Sequence, residues 1–391
     1  MRCLVLLVLA TLAAAQSGSV QTSHTTENLR GVSTVGRQVA WASGTRGTYL
    51  RTTDGGRTWI PGQVPDATTL DFRAVVAFSA DEAFLMSAGP GDQSRIYHTS
   101  DAGQHWQLQF TNSNPKGFFD SMAFLDPTHG IVLGDPIPDE KGKLKFELLE
   151  TEDGQSWRAI QPSQLPESLE GEGAFAASNS CIALVEERPA SNALESGKKA
   201  DSAPAARDQN IWFASGGKAA RVFHSPDLGK TWEVFNTPIL HGPESAGIFS
   251  IAFRDALHGV IAGGDYKHPD DDGPNLAFTE DGGKTWTLST LHPQAFFSAV
   301  AYDRQVNAAA LRQQAEEQSE KATGKKLVAR PVAPQRLFVV GEDFIFDFRP
   351  PNNPRRINGK KKQGFSFNAV SPYREGGALV VGPKGTIALL P

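Results

Sequence analysis

Cysteine is nearly absent from this chain of 391 residues, which contains only Cys3 and Cys181. Cys3 lies in an N-terminal segment that we expect to be removed, so no disulfide bond within the mature chain is expected. A lone cysteine in an apolar strand is usually a small buried residue. We therefore interpret Cys181 as part of the core and not as a nucleophile.

The sequence also lacks the short motifs that bind cofactors or carry out hydrolysis. It has no Gly-x-Gly-x-x-Gly after a strand, no Walker loop, no Gly-x-Ser-x-Gly elbow and no His-Glu-x-x-His. Its nine His residues are scattered, with none at the spacing of metal ligands. The acidic loop 270–273 could hold calcium, but a solvated loop is the preferred interpretation. We predict no cofactor and no metal ion.

Long apolar runs are missing as well. The run from Leu4 to Leu12 is shorter than the roughly 20 residues of a transmembrane helix. Arg2 precedes this run and three alanines follow it, which is typical of a secretory signal peptide. We therefore expect residues 1–15 to be removed, the protein to be exported to the periplasm or the cell exterior, and the mature chain to have no transmembrane segment.

The chain also lacks a large excess of either positive or negative charge. Without Arg2 the chain has 37 Lys and Arg against 43 Asp and Glu, a formal charge of −6. Such a mildly acidic balance argues against a nucleic acid or a membrane surface as the partner.

The chain does contain a repeated turn motif, S/T-x-D-x-G-x-x-W, known as the Asp box. Copies occupy residues 52–59, 99–106, 225–232 and 279–286, and a copy one residue shorter occupies 151–157. The carboxylate can accept backbone hydrogen bonds, the glycine accepts a positive φ, and the tryptophan covers the turn. The predicted structural residues are Asp54, Trp59, Asp101, Trp106, Asp153, Trp157, Asp227, Trp232, Asp281 and Trp286.

The spacing of the Asp boxes predicts the architecture. Successive box tryptophans are 47 to 75 residues apart, a period typical of propeller blades. Apolar runs rich in small residues precede the boxes and are predicted to be innermost strands, at 29–35, 72–78, 118–124, 171–178, 247–253, 296–302 and 365–371. We predict that residues 16–391 form a single all-β domain, a seven-bladed β-propeller. Residues 22–28 are expected to close it by pairing with the last blade.

Two insertions interrupt this period. Residues 186–210 are polar and rich in Ala, Ser, Lys, Glu and Pro, which predicts a disordered loop. Residues 304–335 begin with an Ala- and Gln-rich stretch and are predicted to be helical or disordered.

Polar residues at the ends of predicted second strands suggest a binding site. In an up-and-down blade, loops between blades and loops from second to third strands lie on one face, here called the top. Arg73, Asp120 and Glu342 are expected there. The chosen ligand-binding candidates, expected to converge near the axis, are Asp135, Glu172, Arg221, Asp265 and Tyr266.

The order of these motifs resembles known Asp-box propellers. Residues 128–134 and 257–263 both read His-Gly-x-x-x-Gly after their first residue, and they resemble the propeller of the photosystem II assembly and stability factor. Residues 172–178, 247–253 and 264–266 are similar to secreted bacterial propellers related to that factor, often labelled oxidoreductase or glycosyl hydrolase. Asp boxes also occur in sialidases, but the Arg-Ile/Leu-Pro element of those enzymes does not precede Asp54.

Three functional hypotheses follow. The first is an exported, non-catalytic propeller that binds a protein or peptide on its top face, as an assembly factor would. The second is a sialidase-like glycoside hydrolase that acts on a carbohydrate through carboxylates such as Asp135, Glu172 and Asp265. The third is another small-molecule enzyme.

Overall fold

The computed structural model describes residues 19–187, 208–290, 295–303, 336–341, 344–349, 353–356, 366–374 and 376–391. Within these ranges the secondary structure is thirty short β-strands and two 3-10 turns, at Gly91–Gln93 and Pro162–Gln164. The all-β class predicted from the sequence is therefore correct. The predicted signal peptide and the insertion 304–335 lie outside the described residues.

Six four-stranded antiparallel sheets form blades. Blade 1 consists of β2 (Leu29–Thr34), β3 (Ala40–Gly44), β4 (Thr48–Thr52) and β5 (Ile60–Gln63). Blade 2 consists of β6 (Asp71–Ala77), β7 (Ala83–Ala88), β8 (Arg95–Thr99) and β9 (Gln107–Thr111). Blade 3 consists of β10 (Phe119–Phe124), β11 (Gly130–Pro138), β12 (Leu144–Thr151) and β13 (Arg158–Ala159). Blade 4 consists of β15 (Ile182–Glu187), β16 (Asp208–Ala214), β18 (Arg221–Ser225) and β19 (Glu233–Asn236). Blade 5 consists of β24 (Phe297–Tyr302), β25 (Leu337–Gly341), β26 (Phe344–Arg349) and β27 (Asn353–Arg356). Blade 6 consists of β28 (Ala369–Pro372), β29 (Ala378–Val381), β30 (Ile387–Leu390) and, from the N-terminus, β1 (Ser19–Gln21).

A larger sheet has four of its six strands between blades 4 and 5 in the chain. It consists of β14 (Glu172–Gly173), β17 (Gly216–Gly217), β20 (Ala246–Phe253), β21 (Gly259–Asp265), β22 (Leu276–Thr279) and β23 (Thr287–Leu288). The prediction of a seven-bladed propeller is wrong, because the described strands form six four-stranded blades and this one six-stranded sheet. A pair of glycines allows the extension: a Cβ on Gly247 would lie only 2.3 Å from the Cα of Gly216.

The sheets form a closed ring. Their innermost strands touch in the order β2, β6, β10, β15, β20, β24 and β28, and β28 touches β2. All of them begin at the end of the propeller that we call the top, and the Asp-box turns lie at the opposite end, the bottom. Apolar side chains fill the spaces between neighbouring sheets; Phe84 of blade 2 and Phe119 of blade 3 belong to one such cluster.

The N-terminal strand lies at the outer edge of blade 6, where β1 pairs with β30. The prediction placed this strand at residues 22–28, which are instead a connection without strand structure. The Gln21 side chain explains the position, because its amide nitrogen donates to the Gly55 carbonyl at 3.4 Å. Its oxygen accepts a hydrogen bond from Trp59 Nε1 at 2.9 Å.

The inner strand of blade 4 also differs from the prediction. Residues 171–178 were expected to form it, but the strand is β15, which pairs with β16. These two strands include residues 186, 187 and 208–210 at the ends of the predicted disordered insertion. Residues 188–207 lie outside the described residues. The preceding segment leaves the sheet because it runs along the axis of the propeller.

The Asp-box turns share one hydrogen-bond pattern. In the first copy, the Gly56 amide donates to Thr52 Oγ1 and the Thr58 amide donates to Asp54 Oδ1, both at 2.9 Å. Asp101, Asp153, Asp227 and Asp281 accept backbone amides in the same way. These bonds hold each box carboxylate within its own turn.

The described residues include no helix with the length and apolar character needed to cross a membrane.

Candidate functional site

One residue near the start of several inner strands is displaced by a β-bulge. In β2 the pairing passes from Leu29 to Gly31, so Arg30 is the extra residue, and the same shift occurs in four other inner strands. The displaced residues are Arg30, Arg73, Asp120, Phe249 and Ser298. Bulges redirect side chains and are frequent near functional sites. The top of the axis is therefore surrounded by side chains of varied chemistry at equivalent positions.

Blades 1 and 2 contribute a basic cluster made of Arg30, Asp71 and Arg73. Arg73 Nε donates to Asp71 Oδ2 at 2.9 Å, and Arg30 Nη2 lies 3.5 Å from the same oxygen. The side chains are 28, 22 and 29% exposed, so each is partly accessible. Burial lowers the pKa of Arg30, and the nearby Asp71 carboxylate opposes this effect. Two guanidinium groups sharing one carboxylate leave a net positive charge at this side of the axis.

Blade 3 contributes three carboxyl groups. Asp120 is 1% exposed, and its Oδ2 is buried without a hydrogen-bond partner. Burial raises the pKa of Asp120, and the neighbouring Asp135 and Glu147 raise it further against the opposing Arg73. Burial also raises the pKa of Asp135 to about 6 and that of Glu147 above its usual range. Burial and the neighbouring carboxyl groups therefore favour the protonated form of Asp120.

Residues 174–180, here called the axial segment, fill the centre of the ring. Asp135 Oδ1 accepts the Ala174 amide at 3.0 Å, and Arg73 Nη1 donates to the Ala176 carbonyl at 2.8 Å. Further along, Ser178 Oγ donates to the Ser298 carbonyl at 2.8 Å. These contacts reach blades 2, 3 and 5.

The end of the axial segment is held equally closely. The Met122 amide of blade 3 donates to Asn179 Oδ1, and the Ile251 amide of the six-stranded sheet donates to the Ser180 carbonyl, both at 2.7 Å. A segment that touches inner strands on several sides of a ring lies at its axis. The centre is therefore occupied by the protein itself, and a ligand on the top face would rest on the axial segment.

Glu172 and Arg221 form an enclosed ion pair beside this segment. The Glu172 side chain is 0% exposed and accepts both Arg221 Nε, at 2.8 Å, and Arg221 Nη2. It also accepts Ser215 Oγ at 2.5 Å and the Leu169 amide at 2.7 Å. With these partners the carboxylate anchors the chain before the axial segment. The Arg221 guanidinium group is held in this ion pair with Glu172.

Asp265 is the last residue of β21, and Tyr266 begins the loop that follows. Asp265 Oδ1 accepts the Lys267 amide at 2.9 Å, and Oδ2 lies 3.0 Å from His268 Nδ1. Burial alone would raise the pKa of Asp265, but hydrogen bonds from His268, Ser245 and the Lys267 amide lower it overall. Its carboxylate therefore stabilises the loop. Tyr266 is 49% exposed.

Tyr266 belongs to an aromatic cluster with Phe175, Phe249 and Phe296. Phe175 of the axial segment stacks on Phe249, with ring centroids 3.8 Å apart. Phe296 and Tyr266 approach Phe249 edge-on, with centroids 4.7 and 6.1 Å away. Phe249 is 3% exposed, whereas Phe175 and Phe296 are partly exposed. Three aromatic rings therefore reach the top surface around one buried ring.

The five predicted candidates are thus divided between two places. Asp135, Glu172 and Arg221 surround the beginning of the axial segment, and Asp265 and Tyr266 lie beside the aromatic cluster. Phe175 connects the two places because it belongs to the axial segment and stacks on Phe249. Among the described residues, no cluster of three or more His, Cys, Asp or Glu side chains could hold a metal ion. Glu342 lies outside the described residues.

Arg30, Phe249 and Ser298 were not selected from the sequence, although a signal for them exists. The inner strands share the order large apolar, variable, small: Leu29-Arg30-Gly31, Phe72-Arg73-Ala74, Phe119-Asp120-Ser121, Ile248-Phe249-Ser250 and Phe297-Ser298-Ala299. The variable residue is the displaced one in each case. Comparing these triplets position by position would have identified the ring of bulge residues.

Comparison with known proteins adds a sequence relationship to this geometry. Residues 12–116 match the profile of the family described as photosynthesis system II assembly factor YCF48. The photosystem II stability/assembly factor HCF136, chloroplastic, of Arabidopsis thaliana is 25% identical over 273 residues, 62% of each chain. The protein of the same name from Oryza sativa subsp. japonica is 39% identical over 67 residues, 16% of this chain and 15% of that protein. The chain thus covers less than two thirds of the length of either relative.

Solved structures share the fold. The structure of YCF48 bound to D1 peptide has a TM-score of 0.59 and 15% identity, covering 96% of this chain and 97% of that chain. YCF48 from Cyanidioschyzon merolae has a TM-score of 0.56 and 15% identity, covering 96 and 99%. The WD40 propeller domain of Doa1 has a TM-score of 0.54 and 10% identity, covering 97% of each chain. The chain is a β-propeller with sequence similarity to photosystem II assembly factors of the YCF48 type.

Proposed function

We propose that this chain is an exported, non-catalytic Asp-box propeller that binds a peptide segment of a partner protein on its top face, as an assembly factor. Residues 16–391 would form the single propeller domain, and residues 1–15 the signal peptide. The sequence similarity to assembly factors supports this proposal, as does the solved structure of YCF48 bound to a D1 peptide. The relatives are named chloroplastic, which fits a protein that is moved to another compartment.

The observation that carries the proposal is the basic cluster at the top of the axis. Arg30 and Arg73 are partly exposed, are displaced by bulges, and share the single carboxylate of Asp71. Guanidinium groups bind carboxylates through paired, charge-assisted hydrogen bonds. A peptide that presents an acidic group to this cluster would be held over the axial segment. Asp135 would border the ligand, while Glu172, Arg221 and Asp265 would support the surface.

The hydrolase alternative is not favoured by the positions of its carboxylates. Glu172 has a 0% exposed side chain bound to Arg221, and the Asp265 side chain is 6% exposed and bound within its loop. A glycosidase needs two carboxyl groups that both reach the scissile bond.

Binding of short synthetic peptides to the mature chain tests the proposal. A peptide library with a fixed central Asp is compared with the same library carrying Asn, using fluorescence anisotropy. Arg30→Gln and Arg73→Gln should each weaken binding of the Asp library by about tenfold or more, because a charged hydrogen bond is lost. Arg57→Gln, at an exposed position in a bottom turn, is the matched control. The proposal fails if no Asp peptide binds, or if both top variants bind as well as the control.

A further inference from the structure

The axial segment connects the aromatic cluster to the basic cluster. Arg73 holds the carbonyl of Ala176 at 2.8 Å, and Phe175 is the preceding residue. Neighbouring residues are about 3.8 Å apart along the backbone. The guanidinium group of Arg73 and the exposed edge of Phe175 therefore lie within the reach of one short peptide segment.

The cluster is more exposed than a core aromatic group. Phe249 is buried, but Phe175 and Phe296 are partly exposed and Tyr266 is 49% exposed. Exposed aromatic side chains with one buried anchor are enriched where proteins bind partners. The axial segment also blocks the centre of the ring, so an occupant of this surface lies across the top and cannot thread through.

We propose that the cluster of Phe175, Phe249, Tyr266 and Phe296 is a subsite for an aromatic or large aliphatic side chain of the bound peptide. This inference rests on the proposed function. The occupant is a peptide in which that side chain directly neighbours an acidic residue, because Arg73 binds the axial segment at Ala176, the residue after Phe175. Charge complementarity selects this occupant: the acidic residue meets the net positive basic cluster, and the apolar neighbour then falls on the rings.

A set of matched peptides tests this specificity. Three short peptides of otherwise identical sequence contain Phe-Asp, Ala-Asp or Phe-Asn at their centre. The wild-type chain should bind Phe-Asp about three- to tenfold more tightly than Ala-Asp, as expected for one aromatic contact. Tyr266→Ala should abolish this difference and leave the affinity for Ala-Asp unchanged. Leu257→Ala is the control, since Leu257 is 54% exposed at the bottom of the same sheet.

Phe175→Leu provides a second variant that keeps an apolar side chain in the axial segment, and it too should reduce the preference for Phe-Asp. The inference is overturned if wild type binds Phe-Asp and Ala-Asp equally, or if Tyr266→Ala keeps the full preference. It is also overturned if the wild type self-associates while Tyr266→Ala is monomeric in sedimentation, because a second copy would then cover the rings. Loss of all binding to both Asp peptides contradicts the proposed function itself, so the two failures are distinguishable.

Discussion

The carboxyl group of Asp135 shows how one side chain couples the axial segment to pH. Burial raises its pKa from 3.8 to about 6, so the folded protein favours the protonated form. A raised carboxyl pKa stabilises the folded state at low pH. Its contribution to the free energy of unfolding should therefore fall as the pH rises from about 4 to about 6, and then stay constant.

Asp135→Asn tests this expectation. The amide oxygen can still accept the Ala174 amide hydrogen, but the side chain no longer titrates. Above about pH 6 the variant should be more stable than wild type by about 3 kcal/mol, and the difference should shrink toward pH 4. Urea unfolding at a series of pH values measures it. A difference that does not change with pH would contradict the raised pKa of Asp135.

The Asp-box turns differ in how far their tryptophans reach into neighbouring elements. Trp59 is 1% exposed, packs between blades 1 and 6, and donates to Gln21 of β1 at 2.9 Å. Trp286 is partly buried, and its Nε1 donates to Gly283 within its own turn. Trp59→Ala should cost about 3–5 kcal/mol of unfolding free energy, as large buried aromatic truncations do.

Trp286→Ala should cost less, about 1–2 kcal/mol, because less apolar surface is lost from the core. Chemical unfolding of the two variants in parallel gives the comparison. Equal losses would mean that the tryptophans act only as covers of their own turns, whatever their contacts with other elements.

Elements whose determinants are local could be predicted from the sequence, and others could not. The box turns are formed by residues within eight positions of one another, so Thr52, Asp54 and Gly56 suffice to indicate them. The inner strand of blade 4 depends on its partner β16, beyond an insertion. Residues 171–178 have the small-residue pattern of an inner strand, yet their side chains find partners around the axis. A local pattern could not distinguish these two environments.

The ring as a whole depends on the short strand β1. It pairs with β30 although the two strands are near opposite ends of the sequence. Without β1, the backbone edge of β30 would be exposed. A mature chain that begins after Gln21 should melt several degrees lower than one that begins at Ser19, which keeps β1. The shorter chain should also self-associate as its concentration rises. Differential scanning calorimetry and sedimentation measure the two effects, and equal melting temperatures would contradict this role of β1.

For the whole molecule, the all-β propeller was predicted correctly from the sequence, but the predicted number of blades, seven, was wrong. The spacing of the Asp boxes indicates repeated sheets, whichever strands each sheet contains. The fifth of the predicted inner runs does belong to a sheet, but that sheet gains β14 and β17 through the contact between Gly216 and Gly247. Two glycines far apart in the chain carry no signal that they will touch. The candidate residues were selected from the predicted order of the strands. Which of them bind each other, such as Glu172 and Arg221, is visible only in the structure.

The axial segment also constrains the order in which the protein can fold. Its two ends are joined to blades 3 and 4, so it cannot be inserted as a free end into a finished ring. Its partners include Arg73, made earlier in the chain, and Ser298, made 120 residues after Ser178. Contacts this distant in sequence slow folding, because long loops must close before they are formed. The contact between Ser178 and Ser298 forms only when β24 is in place, so we expect the axial segment to reach its final position as the last sheets assemble.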